Sequence, residues 1–201
     1  MKLLNRYIIS LFFSSRFYWT LGAIACLFGI SFLIAPLFTI TKFLLAIFVL
    51  LVLLDYAILF FSSSRVTAER IVPERFSNGD ENIVKLELKN EFPFRAQIKI
   101  IDELPDQFQQ RKFLLRSEIS GNGALTLPYS LRPVERGEYQ FHKTHVFVKT
   151  PLGFVVRRCS ADNEAMVKVM PSFVHLRNFE LLAYSNNLAE AGSRKIRKIG
   201  H

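Results

Sequence analysis

The sequence holds two cysteines, four histidines and one tryptophan, and each scarcity removes a class of function. Cys26 lies within an apolar block and Cys159 far downstream of it. A disulfide framework or a cysteine-rich zinc site is therefore not available. No G-x-S-x-G, H-E-x-x-H or P-loop pattern occurs. His142-Lys143-Thr144-His145 resembles a metal pair, but strand residues three apart point to opposite faces. No further Cys, His or carboxylate cluster completes a site, so both histidines read as structural. Apolar parity slips here, from Tyr139 and Phe141 to Val146 and Val148, which leaves room for a bulge. No cofactor is expected, and the chain reads as non-enzymatic.

Charge is scarce where apolar residues are dense. Between Arg16 and Lys42 no charged residue occurs, and between Lys42 and Arg65 the only one is Asp55. The blocks Phe17–Pro36 and Phe43–Phe61 are each about 20 residues, enough to cross a hydrocarbon core of roughly 30 Å. They predict a transmembrane hairpin spanning residues 17–64, with a tight outer turn at Leu37 to Lys42. No A-x-A cleavage pattern follows the first block, which argues against a removed leader. Lys2, Arg6 and Arg16 precede the hairpin, and Arg65, Arg70 and Arg75 follow it. Basic flanks stay cytoplasmic, so both termini are expected inside a bacterial cytoplasmic membrane.

Within the first block, Gly22, Ala25, Cys26 and Gly29 form a stripe of small residues that lets another helix approach closely. The second helix of the same chain and a second copy of the chain are the two candidate neighbours. Asp55 is the intramembrane acid. In an antiparallel hairpin it falls near Trp19 and Thr20, which satisfy it unless it is protonated. No second ionisable residue completes a proton path, so a structural or subunit-contact role is expected rather than transport. Ahead of the hairpin, Leu3, Leu4, Tyr7, Ile8, Leu11 and Phe12 recur at helical spacing. Residues 1–16 thus read as an amphipathic helix on the inner leaflet.

The net charge of +9 is not a nucleic-acid signature. From Arg65 onward there are 22 basic residues (26 less the four before it) and 16 acidic ones (17 less Asp55), a balance of +6. Four of those charges are Arg194, Lys195, Arg197 and Lys198. No aromatic-interleaved basic stripe accompanies them.

After residue 64 the pattern changes to period two. Val84, Leu86 and Leu88 alternate with charged residues, as do Ile98 and Ile100 around Lys99, and Leu125, Leu127, Tyr129 and Leu131 share a face. Turn signals separate these runs, Gly121-Asn122-Gly123 among them. Seven or eight short strands between Val66 and Met170 predict a cytoplasmic, antiparallel, immunoglobulin-like β-sandwich over residues 65–172.

The segments LRPVERGEYQF (Leu131–Phe141), VFVKTPLGFVVRR (Val146–Arg158) and VKVMPS (Val167–Ser172), in this order behind an apolar hairpin, resemble the bacterial domain-of-unknown-function 58 family. The departures are Lys149-Thr150 where Asp is common, Phe154 for Leu and Met170 for Tyr. Four residues in these segments have scaffold roles. Gly137 opens a strand where a positive φ is useful, Pro151 and Gly153 set a turn, and Arg136 anchors on neighbouring carbonyls or acids.

The resemblance implies that SRKIRKIGH (Ser193–His201) leads into a von Willebrand factor A-like domain, so residues 173–201 read as a linker into a missing domain. A short family member and a tail binding anionic lipid are the other readings. The resemblance also implies a membrane-anchored assembly subunit working with a MoxR-type AAA+ ATPase and von Willebrand A-type proteins. The alternative is a component of envelope or exopolymer processing, with its catalytic part in the missing domain or a partner. Self-association is a further possibility.

Overall fold

A computed structural model describes residues 10–33, 35–110 and 113–172; the proposed linker at 173–201 and most of the proposed interfacial segment lie outside them. Helix α1, Ser15–Ser31, starts at Ser14, whose extended backbone (φ −86°, ψ 165°) and side-chain oxygen cap it by accepting from the Arg16 N–H at 3.2 Å. Such a cap satisfies one of the donors that a helix start leaves open. Helix α2 is Ala35–Phe60. The two run antiparallel, with Phe17 against Phe48 (ring centroids 5.5 Å apart) and Phe28 against Phe38 (6.1 Å).

The turn between them falls between Ser31 and Ala35, not at Leu37 to Lys42. Proline costs a helix no hydrogen bond in its first turn, and Pro36 occupies that place. Thr41 returns its hydroxyl to the Leu37 carbonyl at 2.9 Å, so the supposed turn is helix. Lys42 is carried into α2, its ammonium 4.3 Å from the Phe38 ring centroid. Pro36–Phe60 is long and apolar enough to cross a membrane; α1, with 17 residues, is shorter, and α2 is the one such helix among the described residues.

The helix contact uses a seven-residue spacing. Ile24 and Ser31 are buried on α1, in line with Phe17; Thr41, Phe48 and Asp55 are buried on α2. Gly22, Ala25, Cys26 and Gly29 lie on the exposed side of α1. A Cβ added at Gly22 or Gly29 would meet nothing within 4 Å. The small-residue stripe therefore does not pack on the second helix of this chain. At 100° per residue, Gly22 points about 160° away from Ile24, and large residues carry the contact instead.

Leu11 and Phe12 do not continue a helix. Leu11–Phe13 is strand β1, paired antiparallel with β10 (Val155–Ala161) through Leu11↔Arg157, Phe12↔Val156 and Phe13↔Val155. The unpaired edge of β10 offers backbone partners that an isolated helical turn on a lipid surface lacks. Phe12 adds an edge-on contact with Phe147 (5.6 Å).

Between Val66 and Met170 there are ten strands rather than seven or eight: β2 Val66–Ile71, β3 Arg75–Ser77, β4 Asn82–Asn90, β5 Ala96–Asp102, β6 Leu114–Ile119, β7 Ala124–Leu131, β8 Gly137–Phe141, β9 Thr144–Lys149, then β10, and β11 Ala165–Met170. They form three sheets, ordered β1-β10-β9-β5-β6, β3-β11-β8 and β2-β4-β7. All pairings are antiparallel except β3 with β11. Alternation places Val84, Leu86 and Leu88 of β4, Ile98 and Ile100 of β5, and Val146 and Val148 of β9 in one core. Leu59 and Phe60, the end of α2, belong to that same core and are fully buried.

The parity slip after Phe141 is a change of sheet. The chain leaves β8 in one sheet and enters β9 in another across His142 and Lys143.

One polar network crosses the core. Arg70 and Asp102 form an ion pair whose side chains are both fully buried. The guanidinium also donates to the His142 carbonyl (3.1 Å) and the Asn163 carbonyl (2.7 Å). Asp102 further accepts from Tyr129 and, at 2.9 Å, from Thr144. Burial first, and the Asp102 charge second, push the Tyr129 hydroxyl well above the ordinary tyrosine value, so it remains a donor.

Candidate functional site

The sequence segment Thr150-Pro151-Leu152-Gly153-Phe154-Val155 connects β9 to β10 and lies against the ends of both helices. Its geometry starts from the turn itself. Gly153 has φ +72°, a conformation that side-chain-bearing residues resist. Its N–H is taken up by the Thr150 hydroxyl oxygen at 3.1 Å. Pro151 supplies the fixed φ of the second turn position.

Asp55 is brought to this turn by α2. Its Oδ2 accepts from the Phe154 and Val155 amides, each at 2.8 Å, and its Oδ1 accepts from the Thr150 hydroxyl. The residue is fully buried. The expected pairing with Trp19 and Thr20 is not made: Trp19 is 81% exposed, and Thr20 donates to the Arg16 carbonyl in its own helix. Burying a carboxylate is costly unless hydrogen bonds replace its water. Two amides and a hydroxyl supply that replacement here. All three donate to it, so the arrangement fixes the Asp55 side chain in place.

The base of α1 holds the other side of the turn. Ser14 donates its backbone N–H to the Phe154 carbonyl (3.0 Å) and its hydroxyl to the Gly153 carbonyl. Arg16 reaches the Leu152 carbonyl at 3.4 Å, and a Cβ at Gly153 would meet the Arg16 guanidinium at 3.2 Å. Phe154 stacks edge-on against Phe48 of α2 (5.5 Å).

A second contact lies one strand residue pair further on. Arg157, 7% exposed, donates to the Leu59 carbonyl and to the Ser64 carbonyl (3.3 Å), with its guanidinium 5.4 Å from the Phe60 ring. A cation at the open carbonyls of a helix C-terminus complements both their hydrogen-bonding capacity and the helix dipole.

The structure thus brings together Asp55, Pro151 and Gly153, which the sequence had placed in separate roles. Gly137 opens β8 with φ +145°, as expected, but it lies elsewhere. Arg136 is exposed and makes no hydrogen bond or ion pair among the described residues, so its expected anchoring is not seen. Ser14, Thr150 and Arg157 were missed. For Ser14 the signal existed, a serine directly before an apolar helical run; for Thr150 it was the polar residue ahead of Pro-Leu-Gly.

His145 bridges Ser160 (2.8 Å) and Glu103 (2.9 Å), while His142 contributes backbone groups to Glu103 and Arg70. Among the described residues no three His, Cys, Asp or Glu side chains gather as metal ligands. Two larger clefts open on the sandwich. One, of about 810 Å³, lies beside Asp102, Glu103, Asp106 and His142. The other, of about 630 Å³, runs from Ser15 over the outer face of β5, β6 and β9.

No protein-family model matches the chain, and no curated protein matches it. Solved structures share a partial likeness. A PapD-like domain of human CEP192 is 12% identical, with a TM-score of 0.37 over 53% of this chain and 86% of that one. The CARDB domain of a Pyrococcus furiosus protein, in complex with di-metal ions, is 12% identical with a TM-score of 0.34, covering 53% and 89%. The C-terminal domain of Wzt is 11% identical with a TM-score of 0.34, covering 56% and 81%. Likeness at this level carries no functional inference.

Proposed function

We propose that the chain is a membrane-anchored, non-enzymatic assembly subunit of the domain-of-unknown-function 58 type, with an immunoglobulin-like sandwich held rigidly at the bilayer surface. The observation that carries this reading is the joint at Thr150–Val155. Asp55, Ser14 and Arg16 engage the polar groups of one turn, and the end of α2 is buried in the sandwich core. A domain tethered only for retention needs a flexible linker; a domain locked to its anchor keeps a fixed height and orientation toward a partner. The outward faces of both helices support a lipid environment, with Tyr18, Phe43, Ile47, Leu50 and Leu53 all more than half exposed.

In this reading α1 and α2 both cross a bacterial cytoplasmic membrane and the sandwich is cytoplasmic, following the basic flanks. In a background with Cys26 and Cys159 replaced by serine, single cysteines at Leu33 and Asn122 give the orientation. A membrane-impermeant thiol reagent applied to intact cells is expected to label Leu33→Cys and spare Asn122→Cys. Labelling of Asn122→Cys reverses the topology.

The partners proposed are a MoxR-type AAA+ ATPase and von Willebrand A-type proteins; the alternative is an envelope or exopolymer processing system in which a neighbour is the catalyst. Affinity purification of the full chain from mildly solubilised membranes of its own host, quantified by mass spectrometry, separates them. Enrichment of the ATPase class is expected. Enrichment of polysaccharide-processing enzymes in its place selects the alternative.

A further inference from the structure

The outer face of the five-stranded sheet carries a run of cations that starts at the base of α1. Lys99 of β5 stands directly opposite Arg116 of β6, an arrangement in which like charges about 5 Å apart destabilise a sheet. Lys149 of β9 is opposite Gln97, two residues along β5 from Lys99 and on the same face. Arg16, in the first turn of α1, extends the run toward the membrane end. Burial, followed by the charges of Arg16, Lys99 and Arg116, pushes the Lys149 amine below its ordinary value. Lys99, Arg116 and Lys149 have no carboxylate within ion-pair distance among the described residues. Glu118 lies in the same cleft but is engaged by Arg95 (3.3 Å) and Gln97 (3.2 Å).

Lys99, Arg116 and Lys149 line the cleft of about 630 Å³ whose other end is Ser15, the residue before Arg16. That placement matters because α1 and α2 enter the bilayer from the same end, with Tyr18 and Trp19 exposed just above it. Aromatic residues of this kind mark the headgroup level of a membrane. The cleft therefore opens where lipid phosphates stand, and repelling cations there are stabilised by an anion.

We propose that the cleft formed by Ser15, Lys99, Arg116 and Lys149, with Arg16 at its mouth, binds the phosphate headgroup of an anionic phospholipid from the leaflet beside the sandwich. The inference rests on the membrane reading above and adds a specific lipid site to it. The site orients the sandwich further, because it adds a second point of attachment, across β9, β5 and β6, beside the Thr150–Val155 joint.

The test uses the full chain and the variant Lys99→Gln/Arg116→Gln/Lys149→Gln, whose substituted side chains lie on the outer face of the sheet, outside its core. Each is first floated with phosphatidylcholine vesicles and then, in mild detergent, exposed to equal amounts of phosphatidylglycerol and phosphatidylcholine, with retained lipid counted by native mass spectrometry. The native chain is expected to prefer phosphatidylglycerol on the order of tenfold, and the variant to lose most of that preference, since each basic residue near the surface contributes to anionic-lipid attraction. Inorganic phosphate at millimolar concentration is expected not to displace the lipid. Equal preference in both proteins overturns the site while leaving the membrane reading intact. Displacement by inorganic phosphate assigns the cleft to a free anion and also overturns the lipid proposal. Failure of the native chain to float overturns both readings.

Discussion

Replacing Asp55 with alanine is expected to loosen the Thr150–Val155 turn from α2 without unfolding the sandwich or the helix pair. The substitution leaves the Phe154 and Val155 amides and the Thr150 hydroxyl without their acceptor. Each buried donor left unpaired costs about 1–3 kcal/mol, so a loss on the order of 3 kcal/mol or more is expected, offset where water enters. Hydrogen exchange on the full chain in detergent reads this directly. The amides of Phe154 and Val155 should lose protection by roughly a hundredfold, about 3 kcal/mol at 1.4 kcal/mol per tenfold, while those of β4 and β7 should be unchanged. Asp55→Asn keeps one oxygen for the two amides but turns an N–H₂ toward Thr150, whose hydroxyl must then accept; a smaller loss is expected. Thr150→Asp should be worse than Thr150→Ser, because it sets a second carboxylate against Asp55. Unchanged protection at Phe154 and Val155 in Asp55→Ala would show that Ser14, Arg16 and the Phe48–Phe154 contact hold the joint without Asp55.

The second large effect belongs to the sandwich core. Arg70→Met leaves Asp102 buried without its cation, and breaking one side of a buried pair costs about 3–5 kcal/mol. That is a large share of the roughly 5–15 kcal/mol that holds a domain folded. The expected outcome is a sandwich that melts well below the native one in a thermal scan followed by β-sheet circular dichroism. The double replacement Arg70→Met/Asp102→Leu should recover part of the loss, since two apolar groups leave no charge stranded, although Tyr129 and Thr144 then lose an acceptor. A single Arg70→Met protein that melts with the native one would mean that Tyr129, Thr144 and entering water suffice to hold Asp102.

These two acids have partners that proximity along the chain does not indicate. Asp55 is conspicuous in sequence as the single charge in an apolar run, and the helix nearest along the chain is where a partner is expected. The partner is a turn about a hundred residues later. Asp102 was not conspicuous at all, since it sits at the end of an ordinary alternating strand beside Glu103. Its burial depends on where β2, β7 and β9 come to lie around β5.

The small-residue stripe of α1 failed for a related reason. Small residues permit close approach but do not require it, and Phe17 and Ile24 of α1, with Phe48 of α2, form an equally regular pattern with larger side chains to bury. The second helix begins at Ala35 rather than after Lys42, because Pro36 in its first turn is compatible with the helix. Leu11 and Phe12 lie in a strand because three apolar residues fit a helical face or a strand equally well, and only the open edge of β10 favours the strand.

The sequence by itself determined a long, nearly uncharged helix, a change to period-two strands after residue 64, and the turn glycines at 137 and 153. All of these follow from local sterics or from periodicity, which act over a few residues. Only the tertiary structure decided that the strands divide into three sheets with one parallel pair, that the last turn of α2 belongs to the sandwich core, and that Asp55 closes the Thr150–Val155 turn. Those outcomes depend on hydrogen-bond donors and acceptors far apart in sequence being buried together, where each must find a partner.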